Sequence, residues 1–326
     1  MIRTIRFAAA LAALAALPLA VLAQGAFPSH PITLIVPFPA GGPSDVLARS
    51  VAQPMAQKLG QPIVIENVGG AGGTIGMAKM AKAAPDGYTL GFGTIGTHVA
   101  NVAVYKKLPY DPVADFQPLG LAGSAPMVLV ARANLPATSL RDFPAWLARE
   151  PRKASYGSAG VGSISHFGCV MLLAALKREV THVPYRGVAP AMNDLMGGQV
   201  DFMCDQTTTA LPQIAGGKIK PLAVLSAQPL AQLPGVPTAA SLGLDLDLKS
   251  WNALFVPKAT PAPIAKRLTE ALAAAVADPA LRKQMQALGV ELPRPQDVGP
   301  GEVGALIQLG LKREVPALKA RGEYLD

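Results

Sequence analysis

The chain has 326 residues, of which 50% are hydrophobic and only 5% aromatic, and it carries a formal net charge of +8. Its basic residues are scattered singly, so a nucleic-acid surface finds no support and the excess charge reads as an attraction for small anions. A chain of this length exceeds what one compact core usually organises, and two domains are expected.

The first element is a leader. Arg3 and Arg6 precede an uncharged Ala/Leu run from Phe7 to Ala23, with small residues suited to cleavage before Gln24. A spanning helix needs about 20 apolar residues, and no Cys follows the run to carry a lipid anchor. Residues 1–23 are therefore expected to be a signal peptide and the mature protein to be soluble and periplasmic.

From Ile32 onward, short β-rich runs alternate with Ala/Leu-rich windows, the pattern of sheets covered by helices. Strands are predicted over 32–36, 63–66, 89–92, 127–131, 154–157, 181–183, 200–204, 222–225 and 253–256. Helices are predicted over 45–59, 74–83, 140–150, 165–176, 190–196, 264–276, 279–288 and 303–320. The last three follow one another without strands between them, as in a helical tail that packs back on an earlier domain. The apolar segments 119–130 and 221–227 read as crossings between domains. Residues 24–123 with 227–326 would then form a discontinuous first lobe and 124–226 a second.

Three predicted strand ends run through glycine-rich turns into helices, over 37–45, 67–74 and 156–163. Glycine permits close backbone approach to a ligand, and the first N–H groups of a helix lack internal partners. Such a turn binds an anion without Lys or Arg. A helix N-terminus contributes roughly 0.3 to 1 kcal/mol toward a negative charge, and charge-assisted hydrogen bonds about 1.5 to 3 kcal/mol each. Two turns acting together reach micromolar affinity, about 8 kcal/mol, on those figures. Asp45, at a helix start, is expected chiefly to cap the backbone of its own turn.

Enzymatic patterns are weaker. Gly91, Gly93 and Gly96 fit G-x-G-x-x-G after a strand, but Tyr110-Asp111-Pro112, where the ribose-binding acid should lie, reads as a turn. Ser163, Ser165, His166 and Asp205 can be drawn as a hydrolase triad, which makes a secreted serine hydrolase using Ser163 and His166 the alternative reading. His30, His98 and His182 form no ligand cluster with the other residues, so neither a metal nor a cofactor is expected. Cys169 and Cys204 leave open a disulfide or two buried thiols.

Several stretches occur in order at family-like spacing: 35–42 with Asp45 and Arg49, the 67–76 turn, Pro85-Asp86-Gly87-Tyr88, Leu108-Pro109-Tyr110-Asp111-Pro112, Tyr156-Gly157-Ser158-Ala159-Gly160, His182-Val183-Pro184-Tyr185-Arg186-Gly187 and Leu233-Pro234-Gly235. With them the chain resembles Bug-type receptors, the extracytoplasmic binding proteins of tripartite tricarboxylate transporters. The resemblance implies an α/β, two-lobed, type II periplasmic-binding-protein fold, each lobe a mixed, mostly parallel sheet flanked by helices. It also implies a monomer that closes like a Venus flytrap on a small carboxylate and hands it to integral membrane permease subunits. Carried over residue by residue, Phe38, Ala40, Gly41 and Asp45 belong to the first-lobe ligand loop, and Ser158, Ala159, Gly162 and Ser163 to the second-lobe loop. Asp205 follows a strand that ends at the cleft, and Thr94 is a further ligand residue by the same resemblance. Val170 stands where many relatives have Glu, and Gln206 where they have Asn, so the identity of the ligand does not carry over. A Cys169–Cys204 disulfide, found in some relatives, is expected to tie a helix start to a strand end within the second lobe.

Overall fold

The computed structural model describes residues 27–149 and 154–320, so the expected leader and the cleavage point before Gln24 lie outside the described residues. In chain order the strands are β1 (Ile32–Val36), β2 (Ile63–Asn67), β3 (Thr89–Thr94), β4 (Phe116–Arg132), β5 (Ser155–Ser158), β6 (Thr181–Pro184), β7 (Phe202–Gln206), β8 (Ile219–Val224) and β9 (Lys249–Pro257). The helices are α1 (Pro43–Leu59), α2 (Thr74–Ala81), α3 (Asn101–Val104), α4 (Phe143–Arg149), α5 (Ile164–Ala175), α6 (Val188–Met196), α7 (Thr207–Ala215), α8 (Ala262–Ala277), α9 (Pro279–Ala287) and α10 (Pro300–Lys319). Each strand predicted from sequence is present. α7 was not foreseen, because Thr207, Thr208, Thr209 and Pro212 all have poor helix propensity. Its first turn is held instead by Thr209 Oγ1, which donates to the Asp205 carboxylate at 2.6 Å.

β4 organises the molecule. From Phe116 to Pro126 it pairs antiparallel with β9, and from Met127 onward it pairs with β7 on one side and β8 on the other. A single strand thus belongs to two sheets, β2-β1-β3-β9-β4 and β8-β4-β7-β5-β6. These are the two lobes. At the crossing, Met127 N–H donates to Leu248 O, Leu225 N–H to Met127 O and Leu248 N–H to Leu225 O, so three passes of the chain are tied together within 3.0 Å.

Two features differ from the sequence reading. Each lobe contains two parallel and two antiparallel pairings, because β4 and β9 both run against their neighbours, where a mostly parallel sheet was expected. Residues 227–248, expected in the first lobe, pack on the second. Val224 N–H donates to Pro237 O, Ala239 N–H to Val224 O, and Leu233 joins the apolar cluster of Val130, Met203 and Leu211. The chain rejoins the first sheet at Lys249.

Periodicity explains the packing. In α8, Ala265, Leu268, Ala271, Leu272, Ala275 and Val276 are buried at helical spacing and meet Leu47, Val51 and Met55 of α1. Burying each large side chain of this kind stabilises by roughly 1.5 to 3 kcal/mol. α1 begins at Pro43 and ends where Gly60, at φ 73°, returns its N–H to Ala56 O. A further cluster runs from Ile95 and Phe116 through Met127 and Leu129 to Phe167 and Phe202, so the core is continuous along the crossing strand. Cys169 of α5 and Cys204 of β7 form a disulfide with Cα atoms 5.3 Å apart.

Candidate functional site

The turn between β1 and α1 is held from behind by one carboxylate. Asp45 Oδ2 accepts from Gly41 N–H at 2.9 Å and from Arg49 Nε at 3.0 Å, while Asp45 Oδ1 accepts from Asn67 Nδ2 at 2.9 Å. Asn67 Nδ2 also donates to Phe38 O at 3.0 Å, joining this turn to the end of β2. Burial alone would raise the Asp45 pKa, but the bonds from Arg49, Gly41 and Asn67 hold it below the usual carboxylate range. Asp45 therefore caps its own turn, as its place at a helix start suggested.

The second glycine turn lies beside the first. Gly70, Gly72 and Gly73 all have positive φ, and a Cβ on Gly73 would come within 2.7 Å of Thr97 and 3.2 Å of the Phe38 ring. Among the described residues, no group accepts a hydrogen bond from the N–H of Ala40, Gly69, Gly70 or Gly72. These amides are available to an anion.

The second-lobe turn, between β5 and α5, is built the opposite way. Ala159 N–H donates to Ser165 Oγ at 2.9 Å, Gly160 N–H to Ser158 Oγ at 3.1 Å, Gly162 N–H to His166 Nδ1 at 3.4 Å and Ser163 N–H to Gly160 O at 3.1 Å. Ser158 Oγ lies 2.7 Å from His182 Nε2. Ser163 Oγ donates to Gly160 O at 2.6 Å and accepts from His166 N–H at 3.3 Å, the geometry of a helix N-cap. The Asp205 carboxylate bonds Thr209. A triad requires the serine hydroxyl to meet the imidazole and the imidazole to meet the carboxylate, and the partners of Ser163 Oγ and Asp205 here are different ones.

Between the lobes lies a cavity of about 920 Å³. The first lobe lines it with Phe38, Pro39 and Ala40, the 69–73 glycine turn and Tyr105; the second lobe lines it with Ala159, Gly160 and Val161 and with Tyr185, Arg186 and Gly187. The lobes touch around it. A Cβ on Gly72 would come within 2.7 Å of Val161 O, one on Gly187 within 2.9 Å of the Pro39 ring, and one on Gly162 would overlap Asn101 Oδ1. Another recess, of about 780 Å³, is lined by 102, 105–106, 108–113 and Leu311, all from the first lobe.

Of the residues singled out from sequence, Phe38, Ala40 and Ala159 reach the cavity wall. Gly41 lines a neighbouring recess of about 280 Å³ with Val188 and Thr209. Asp45, Ser158, Gly162 and Ser163 stand behind the wall as supports of the turns. Thr94 is buried at the end of β3, where its N–H and carbonyl both meet Thr97 Oγ1. Asp205 is buried completely, and its pKa is pushed up to about 6 by desolvation against the opposing bonds from Thr209 and Gln206. Tyr105, Tyr185 and Arg186 were not selected. The signal for the last two was present: β6 also runs into a glycine turn and then a helix, at Gly187 and Val188. Tyr185 OH donates to Asp194 at 2.6 Å, and burial first, then Asp194, pushes its pKa up to about 12.

Among the described residues there is no cluster of metal-ligating side chains and no helix long and apolar enough to cross a membrane. Two α/β lobes joined by shared strands around one cleft are the architecture of a solute-binding receptor of the periplasmic-binding-protein class. The pattern of the tripartite tricarboxylate transporter family receptor, TctC, matches residues 47–322. A UPF0065 protein from the TAR-I ttuE-ttuC' intergenic region of Agrobacterium vitis is 42% identical over 294 residues, covering 90% of this chain and 84% of that one. The periplasmic binding protein BugD is 37% identical with a TM-score of 0.88, over 92% of this chain and all 100% of BugD. MatC from Rhodopseudomonas palustris, solved with bound malate, is 39% identical with a TM-score of 0.87, over 90% of this chain and 100% of MatC. The chain belongs to the tripartite tricarboxylate transporter receptor family, the Bug-type solute-binding receptors.

Proposed function

We propose that this chain is a periplasmic receptor that captures a small carboxylate in the interlobe cavity and delivers it to a membrane permease of the tripartite tricarboxylate type. The observation that carries the reading is the cavity itself: both lobes line it, and the first lobe brings glycine-turn amides with no partner among the described residues. Those N–H groups supply direction without a fixed charge, and the helix that follows each turn adds its positive end. Malate bound in MatC supports a carboxylate as the guest.

In this reading the receptor works as a monomer, and residues 1–23 serve as the export signal and are removed. Of the described residues, 27–126 with 249–320 form one lobe and 127–149 with 154–248 the other, a division adjusted from the sequence expectation by the strand pairing at Pro126 and Lys249. Ligand drives an open-to-closed shift, because only closure brings Val161, Tyr185 and Arg186 onto a guest seated on the first lobe. The function includes no reaction: the Ser163 hydroxyl is used as a helix cap.

The test is titration calorimetry of the mature chain against dicarboxylates, tricarboxylates, acidic amino acids and aromatic acids, with small-angle scattering at saturation. Micromolar binding of at least one carboxylate with compaction is expected. Folded protein that binds none of them, or binds without compaction, contradicts the proposal.

A further inference from the structure

Three glycines from three turns meet where the lobes touch, and one side chain stands among them. A Cβ on Gly72 would stand 2.7 Å from Val161 O and 3.1 Å from Asn101 Oδ1, one on Gly162 would overlap Asn101 Oδ1, and one on Gly96 would stand 3.3 Å from Gly162 O. Asn101 opens α3 in the first lobe and is fully buried. It follows a π-helical turn, Gly96–Ala100, of a kind frequent at functional sites. That turn is fixed within the first lobe: Tyr110 OH donates to Thr97 O at 2.6 Å, and the His98 ring stacks on Phe255 with centroids 4.1 Å apart.

The two ends of the Asn101 amide face different lobes. Its Nδ2 donates to Gly72 O at 3.1 Å and so holds the first-lobe glycine turn. Its Oδ1 is closed to solvent and has no hydrogen-bond donor among the described residues. Turning the amide over gains nothing, since Oδ1 and Gly72 O, both acceptors, would then face each other. The N–H of Gly162, the second-lobe residue pressed against the oxygen, already donates to His166 Nδ1 at 3.4 Å. What Gly162 offers Oδ1 is its Cα, only a weak C–H donor. When the lobes part, Gly162 withdraws and water reaches the oxygen. When they close, that bond to water is lost and no equal one replaces it.

We infer that Asn101 is a positioning residue for ligand capture, whose one amide steadies the first-lobe turn through Nδ2 and opposes closure of the empty receptor through Oδ1. The inference rests on the proposed closure around a ligand and adds the group that keeps the unliganded lobes apart. The cost belongs to the closed state alone, so a guest that bridges the lobes must outweigh it, and a chain without a guest stays open. The closed shape is thereby reserved for a loaded receptor.

The test reads the empty receptor directly. Spin labels at Lys58→Cys and Lys218→Cys, exposed positions on the first and second lobes, report the interlobe distance distribution of the mature chain, first empty and then saturated with the tightest-binding carboxylate of the calorimetric panel. Wild type is expected to be predominantly open when empty. Asn101→Ala and the more conservative Asn101→Ser take Oδ1 out of the path of Gly162 and should raise the closed-to-open ratio of the empty chain by roughly 5- to 100-fold, the range for one desolvated amide oxygen. Asn101→Asp keeps the size and adds a negative charge at the junction, and it should lower that ratio and weaken ligand binding by about 10-fold or more. A thermal melt checks that each variant is folded, and Asn101→Ser carries the test if the alanine variant is not. An Asn101 that only held the 69–73 turn would weaken binding in every variant and leave the empty distribution as in wild type, a result that overturns the inference but leaves the receptor standing. An empty wild-type chain that is already closed overturns it too. A wild-type chain that binds a carboxylate without any change of interlobe distance overturns both the inference and the proposed closure.

Discussion

The two lobes present glycine turns of similar sequence character to the same cleft, and they use them differently. On the first lobe the side chains work from behind: Asp45 takes Gly41 N–H and leaves Ala40 without an acceptor, and the 69–73 turn holds its shape through positive-φ glycines. On the second lobe Ser158, Ser165 and His166 accept directly from Gly160, Ala159 and Gly162 N–H groups, so the turn satisfies itself. Ala40, Gly69 and Gly70 are exposed, so an anion there exchanges water for charge-assisted hydrogen bonds worth about 1.5 to 3 kcal/mol each. The difference teaches that glycine content marks where backbone comes close, while the polar side chains around it decide whether the amides remain for a ligand. In the proposed function the first lobe is the seat, and the second is a cover that adds one cation, Arg186.

The comparison breaks most visibly at Gly162. Its φ of 80° disfavours any side chain, and a Cβ there would overlap Asn101 Oδ1 of the opposite lobe. Gly162→Ala is expected to lower ligand affinity by about 100-fold by blocking closure and straining the turn, with a smaller loss of stability, about 1 to 2 kcal/mol. Adding Asn101→Ala should return part of the affinity in a double-mutant cycle. Purely additive losses would place the effect in the strained turn rather than between the lobes.

The next effect concerns the seat. Asp45→Asn removes the ion pair with Arg49 and weakens the acceptors for Gly41 and Asn67, with an expected cost of about 2 kcal/mol at pH 7 in denaturant unfolding. The folded Asp45 pKa is depressed, so its contribution is present above the unfolded value, about 3.9, and is lost as pH falls through the folded pKa. The gap between wild type and variant should narrow below about pH 4. An unchanged gap at pH 3 would show that Asp45 acts by packing and not by charge.

A pH-dependent effect sharpens the account of the cover. Asp205 is fully buried and its folded pKa is raised to about 6, so the native state holds a proton that the unfolded chain releases near pH 4. Wild-type stability should therefore fall between about pH 4 and pH 6 on this account. Asp205→Asn keeps an acceptor for Thr209 Oγ1 and removes that slope, which makes the variant relatively more stable at pH 7 than at pH 4. Parallel stability curves for the two proteins would remove Asp205 as the source.

Sequence reasoning reached the fold where local signals were self-contained. The Ile/Val runs of β1 and β2 and the helical window 45–59, which α1 extends back to Pro43, needed no tertiary information. It failed for α7, whose threonines gain a partner only because β7 delivers Asp205 beside them, and for 227–248, whose attachment depends on hydrogen bonds to Val224 from distant residues. The site divides in the same way. Phe38, Ala40 and Ala159 lie in glycine-containing strand-to-helix turns, and the resemblance to Bug-type receptors carried them over as ligand-loop residues; all three line the cavity. Tyr185 and Arg186 were not selected although β6 also runs through a glycine into a helix, because that turn holds the single Gly187 where the other three are glycine-rich.

A crystal structure of the mature chain with a bound dicarboxylate is the most direct test of the seat-and-cover account. One ligand carboxylate should lie within hydrogen-bonding distance, about 2.7 to 3.1 Å, of N–H groups at Ala40 and in the 69–72 turn, with the 159–163 turn still bonded to its own serines and His166. A carboxylate held instead by the Ala159, Gly160 and Gly162 amides, with Ser165 and His166 displaced from them, contradicts it.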